Sequence, residues 1–297
     1  MADSVEQHYR NANLRVAITA EMLNRLAGVE RDEWQPVNSQ IAGAYVRGQS
    51  SVHSQSHVLL DPSGDEWLLE LKADGVVDSN TMANSGPVRF RSRGTTDFAG
   101  RKQIVVNDKG VHLKQSDMSA SNSSRLVGVT TDYDWMPIIG GMARDRAISE
   151  YRARQGHVRS HVEDRVATDA RETLDQQTKE AVDQIRKQTY DRFASELDAF
   201  DIKLTPIEMK TTQERLVARL RVAGDKQLGS HTPRPRALSD SLASAQVHET
   251  ALTNLAITLG LDGKRYTAPE LRRMLREKFP QLATKNPAKA KQETIFQ

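Results

Sequence analysis

"IAGAYVRGQSSVHSQSHVLL", residues 41–60, keeps a period of two over its whole length. Ala42, Ala44, Val46, Gly48, Ser50, Val52, Ser54, Ser56, Val58 and Leu60 fill the even positions, all small or apolar, while Arg47, Gln49, His53, Gln55 and His57 fall on odd ones. Successive side chains of a strand point to opposite faces, so the pattern predicts a strand with one buried and one wet face. At ~3.3 Å per residue it would run to about 60 Å, several times the usual length, and a strand that long has to twist and curl.

"DPSGDE", residues 61–66, places Pro62 and Gly64 where a tight reversal wants them. The return strand carries Trp67, Leu69, Leu71 and Ala73 on one face and Glu66, Glu70, Lys72 and Asp74 on the other. After Pro87 a third strand sets Val88, Phe90 and Ser92 against Arg89, Arg91 and Arg93, and "NDKG" at 107–110 supplies another hairpin turn before "VHLKQ". The expectation is an antiparallel meander over 41–131 whose inner face is rich in small residues, with room for something bulky against it.

Composition changes after "MPIIGG", residues 136–141. From Met142 to about Phe200 there is no proline, and only Gly156 interrupts a run dominated by Ala, Arg, Glu, Gln and Asp. One helix over 142–200 would be about 85 Å long at ~1.5 Å per residue, unless Gly156 splits it. Its thin apolar stripe, Val158, Val162, Val166, Ala170, Leu174, Val182, Ile185, Phe193 and Leu197, advances mostly by fours. Such a stripe drifts around a 3.6-residue helix, which suits a helix wrapped by a twisted sheet and not a heptad seam.

Strands are expected in "IKLTPIEMKTT" and "ERLVARLRVAG", and a loop in "GSHTPRPRALSDS". "SAQVHETALTNLAITLGL", residues 244–261, then echoes "LRVAITAEMLNRLAG", residues 14–28: with Ile18 laid on Val247, Leu23 falls on Leu252 and Leu26 on Leu255. Each copy predicts a strand running into a helix. "TAPELRRMLREKF" predicts a last short helix, with Thr267 and Glu270 as a capping box. The fold class is therefore α+β, a long curved antiparallel sheet wrapped against a long helix. We expect a single elongated domain over 1–284, in which 202–279 contributes strands and short helices, and a mobile basic tail at 285–297.

The 42 basic and 39 acidic side chains nearly cancel to +3, so the pI near 9.0 reflects a small surplus and not a field built for nucleic acid. A hydrophobic fraction of 37% and a mean hydropathy of -0.62 fit an elongated, surface-rich molecule. With no cysteine there are no disulfides, thiolate metal sites or cysteine nucleophiles. No apolar run reaches the ~18 residues of a transmembrane helix, and "MADSVEQHYR" lacks the apolar core of a signal peptide. Two accounts of location fit: a cytosolic protein, or a mature domain excised from a periplasmic or secreted one.

Catalytic signatures are missing. His157 and His161 in "HVRSH" have metal-sharing spacing on a helix, but no base stands between them in the zinc-protease manner and no third ligand is indicated. His248 and Glu249 suit a helix start better than acid–base work. Neither a GxSxG elbow nor a glycine-rich phosphate loop occurs. We therefore expect no enzyme, no cofactor, no metal and no nucleic-acid partner.

A strand running into "TAEMLNRL" or "HETALTNL", together with very long antiparallel strands and one long helix, resembles the tubular lipid-binding superfamily that includes the bactericidal permeability-increasing proteins. The wording is also similar to envelope-associated proteins of planctomycete bacteria, which implies no established function. The first resemblance implies a curved sheet around a helix with acyl chains held between them. Its site would take Val46, Val52, Ser54, Val58, Trp67, Leu69, Leu71, Val88 and Phe90 from the sheet and Val166, Leu174, Val182 and Ile185 from the helix. Arg89, Arg91 and Arg93, with Arg101 and Lys102 nearby, are candidates for an anionic head group, or else a solvated outer face. The expected function is non-enzymatic binding of a lipid or other hydrophobic small molecule in an envelope context. The alternative is an envelope scaffold with a filled core, self-associating through its long helix and partnered by envelope proteins.

Overall fold

The computed structural model describes residues 9–28, 30–41, 43–187, 201–229, 241–261, 263 and 265–278. The expected α+β architecture is present, a curled antiparallel half-barrel with one long helix. The larger sheet consists of β2 (Glu30–Ile41), β3 (Ala44–Leu60), β4 (Trp67–Ser85), β5 (Val88–Asn107), β6 (Gly110–Leu113) and β7 (Asp117–Thr131). Each consecutive pair from β2 to β5 is antiparallel. The far side of β5 is divided: Val88–Arg101 pairs with β7 and Ile104–Asn107 with β6.

β4 and β5, at 19 and 20 residues, meet the length expectation. The strand expected over 41–60 is β3, which begins at Ala44, while Ile41 ends the preceding strand β2. The chain turns at Gly43, whose φ of 81° suits glycine, and β2 runs back along β3. β2 escapes an alternation test because both its faces are largely exposed and polar, as befits an edge strand carrying Pro36.

The curl requires close backbone approach. At Gly75 a Cβ would stand 2.3 Å from the His53 carbonyl oxygen and 2.6 Å from Cζ of Phe98. Glycine there lets the Phe98 ring lie across β4 on the inner face.

Helix α2 is continuous over Pro137–Ile185, 49 residues. It begins five residues before the expected Met142, with Pro137 in the first turn, where a missing N–H costs nothing. Gly156 does not split it. The expected continuation to Phe200, with Phe193 and Leu197, lies outside the described residues, as does the tail at 285–297.

The strands expected over 202–223 stand apart from the large sheet. β1 (Leu14–Thr19), β8 (Lys203–Thr211), β9 (Arg215–Ala223) and β10 (Ala243–Val247) do not extend the large sheet but form their own, in the order β10-β1-β9-β8. β1 leads into α1 (Ala20–Ala27) and β10 into α3 (Glu249–Thr258), so each half of the echo is a strand-then-helix unit. In the alignment that superposes Ile18 on Val247, Thr19 falls on His248, and both are N-caps: Thr19 Oγ1 accepts from Met22 N and His248 Nδ1 from Thr250 N. The two strands are antiparallel neighbours, Leu14 opposite Val247 and Ile18 opposite Ala243, so the helices leave from opposite ends. Between β9 and α3, Ile202, Val222 and Ala251 form a small core. Asn13, fully buried, exchanges two hydrogen bonds with the backbone of Val222. At α4 (Ala268–Lys278) the capping box forms on one side: Thr267 gives both its N–H and its hydroxyl to Glu270 Oε2.

Polar contacts join the sheets. Trp67 Nε1 donates to the Val217 carbonyl at 2.8 Å, and buried Thr211 accepts from Leu68 N while its hydroxyl donates to the Glu66 carbonyl. Around them Val58, Leu60 and Leu216 pack with Leu23 of α1.

Candidate functional site, the space between sheet and helix

α2 packs chiefly against β7 and β5. Phe98, Met118 and Leu174 form the contact core, flanked by Val166 and Ala170 from the expected stripe and by Val52, Leu71 and Val77 from the sheet. Phe90 stacks on Tyr151, ring centroids 5.6 Å apart. Polar bonds follow the same edge: Glu163 accepts from Asn122 N at 2.8 Å, and Gln155 donates to the Ser124 carbonyl. That backbone N–H and the Arg159 guanidinium hold the Glu163 carboxyl below its usual range.

Lys102, grouped above with the outward arginines, has the parity of Phe98 and Ile104 and is buried at 3% exposure. Its ammonium pairs with Asp175 of α2, which also accepts from Ser116 Oγ at 2.9 Å. Partial burial pushes the Asp175 carboxyl up, but the bonds from Lys102 and Ser116 outweigh it and leave the group below its usual value.

Because the helix hugs the β5–β7 side, the rest of the concavity is left as a groove of about 2020 Å³. Pockets for small molecules occupy roughly 300–1,000 Å³, so this one has room for a large or multi-chain ligand. Val46, Val52, Ser54, Val58, Trp67, Leu69, Leu71 and Phe90 line it from the sheet, and Val166, Leu174, Val182 and Ile185 from the helix. Val88 is not in the wall. It is half-buried beside the β4–β5 turn, between Ser85 and Thr131.

Several wall residues lie outside the expected site. Ala73, on the expected inner face, also lines the groove; Val77 and Phe98 continue the inward alternation beyond the stretches read from the sequence, and Met118 extends it onto β7. Leu23 and Leu26 of α1 and Met209, Leu216 and Ala218 of the small sheet close one end. That contribution depends on how two sheets meet, which no local pattern carries. Across the middle of the floor Ser50, Ser79, Gly94 and Ser124 follow one another on four adjacent strands, so the floor is lowest there. Charged side chains, among them Arg31, Glu33, Arg154, Arg165 and Asp169, line the groove at exposed positions. The arrangement is an apolar trough with a wet, mixed-charge rim.

Arg89, Arg91 and Arg93 have the opposite parity and point away from the trough. Arg89 pairs with Asp132 at 3.3 Å. His161 reaches the groove wall, while His157 is exposed on α2. Among the described residues no three His, Asp or Glu side chains converge as metal ligands, and no helix is long and apolar enough to cross a membrane.

No protein-family model matches the chain, and no curated protein matches it. Among solved structures it is similar to one described as the crystal structure of lipopolysaccharide binding protein, with a TM-score of 0.32 and 11% sequence identity over 78% of this chain and 55% of that one. The chain thus spans little more than half the length of that protein.

Proposed function

We propose that this chain is a non-enzymatic carrier that holds a lipid or other long hydrophobic molecule in the trough between sheet and helix. The observation that carries the reading is the mismatch between concavity and helix: a sheet face of Val, Leu, Ser and Gly encloses far more space than the thin stripe of α2 fills. Burying an acyl chain there gains roughly 0.8 kcal/mol per methylene removed from water, enough for tight binding without a catalytic group. The exposed charged rim supports a ligand with a polar end. A filled-core scaffold, the alternative reading, has no use for this volume.

Native mass spectrometry of protein purified gently from cells tests the proposal. A bound mass in the lipid range, removed by organic extraction, is expected. An empty protein that instead forms concentration-dependent oligomers would favour the scaffold.

A further inference from the structure

The convex face of the large sheet carries an arrangement that the trough does not explain. Arg93 of β5 stands directly opposite Arg125 of β7, and Arg91 lies one step along the same face opposite Gly128. Like charges directly opposite on neighbouring strands destabilise a sheet. Several other charges on this face are paired: Arg101 with Glu70, Arg89 with Asp132, His53 with Asp32. Arg91, Arg93 and Arg125 take part in no ion pair among the described residues. Across β4 the partner of Arg93 is Asn80, itself opposite Gln49, so neutral amides continue the row.

A depression of about 770 Å³ lies here, walled by Arg93, Arg125, Asn80, Gln49, Ser123 and Trp34. Its one carboxylate, Asp78, already accepts from Thr95 Oγ1 at 2.6 Å. We infer that Arg93 and Arg125 form a forked oxyanion site for a phosphate group. Two guanidinium planes supply parallel N–H donors matched to phosphate oxygens, and a bound dianion converts their mutual repulsion into attraction. Asn80 and Gln49 add amide donors. The site faces away from the trough and stands or falls independently of it. Its phosphate comes either from a lipid head group in a bilayer or from a soluble phosphate.

The test compares the full chain with Arg93→Gln/Arg125→Gln, Arg93→Lys/Arg125→Lys and, as a control on the same strand face, Arg101→Gln. Calorimetric titration with inorganic phosphate reads the soluble source. Co-sedimentation with phosphatidylcholine vesicles, with and without phosphatidylglycerol, reads the bilayer source. The wild type is expected to bind phosphate, or to bind only the phosphatidylglycerol vesicles, which assigns the head group. The double Gln variant should lose about tenfold or more in affinity, with a melting temperature no lower than wild type because repulsion is relieved. The double Lys variant should lose most of the affinity, since it keeps charge but not the fork, and Arg101→Gln should lose none. Failure of the wild type to bind either probe would overturn the proposal. So would undiminished binding by either double variant, or an equal loss in Arg101→Gln.

Discussion

Lys102 on the inner face of β5 gives its ammonium to Asp175 of α2, and this pair ties the long helix to the sheet at a point where the lysine is 3% exposed. The two partners are not equivalent. Asp175→Asn leaves a buried ammonium unpaired. A broken buried pair costs about 3–5 kcal/mol, reduced here to about 2 because a third of the aspartate side chain meets solvent. Lys102→Met removes the buried charge itself and should cost less. Chemical denaturation of both variants checks the order.

Acid should weaken the same tie. The Asp175 carboxyl is held below its usual value in the folded state, so its stabilisation is complete above the unfolded pKa of about 3.9 and disappears as pH falls through the lower folded value. The stability gap between wild type and Asp175→Asn should therefore be constant from pH 7 to 5 and close below pH ~4. A gap unchanged at pH ~2.5 would contradict the assignment.

Gly75→Ala should force the Phe98 ring out of the contact core, because its Cβ would come 2.6 Å from Cζ. Overpacking of this kind costs about 1–3 kcal/mol. Gly64→Ala, with nothing within 4 Å of the added atom, is the matched control. Phe98→Leu in the Gly75→Ala background should recover part of the loss, a coupling that a double-mutant cycle measures.

Asn24 of α1 completes the unpaired end of β3, donating to the Val58 carbonyl at 2.9 Å and accepting from Val58 N at 2.6 Å. Asn24→Ala leaves both buried groups without a partner and should cost about 1–3 kcal/mol. Asn24→Asp keeps the acceptor and loses the donor, so it should fall between the two. Hydrogen exchange at the Val58 amide should accelerate in Asn24→Ala and stay slow in Asn24→Asp.

What the sequence made legible follows from where each residue's environment is set. β3, β4 and β5 have one buried face, so Val46 to Val58, Trp67 to Ala73 and Phe90 print their burial as alternation. The stripe Val158 to Leu174 was readable for the same reason on a helix. Lys102 was readable too: its parity placed it inward, but its charge drew it into the arginine group. β2 was not readable, because an exposed edge strand has no buried face to mark it. The start of α2 hid behind "PIIGG", whose glycines look like breakers. Gly140 is required there because a Cβ would sit 2.6 Å from the Tyr133 carbonyl oxygen. The division into two sheets depends on the tertiary pairing of β1 with β9 and β10, more than 190 residues away, which local patterns do not record.

The most direct test of the trough as a ligand site is Ser54→Leu, read by two signals at once: uptake of a fluorescent fatty acid and the melting temperature. Ser54 lines the groove at a half-buried position, opposite Arg31 on one side and Gly75 on the other. The account predicts that the wild type takes up the probe, that uptake falls several-fold in the variant, and that stability changes by less than about 1 kcal/mol, well short of the ~1–3 kcal/mol of overpacking a filled core. Unchanged uptake together with a large fall in melting temperature would contradict it.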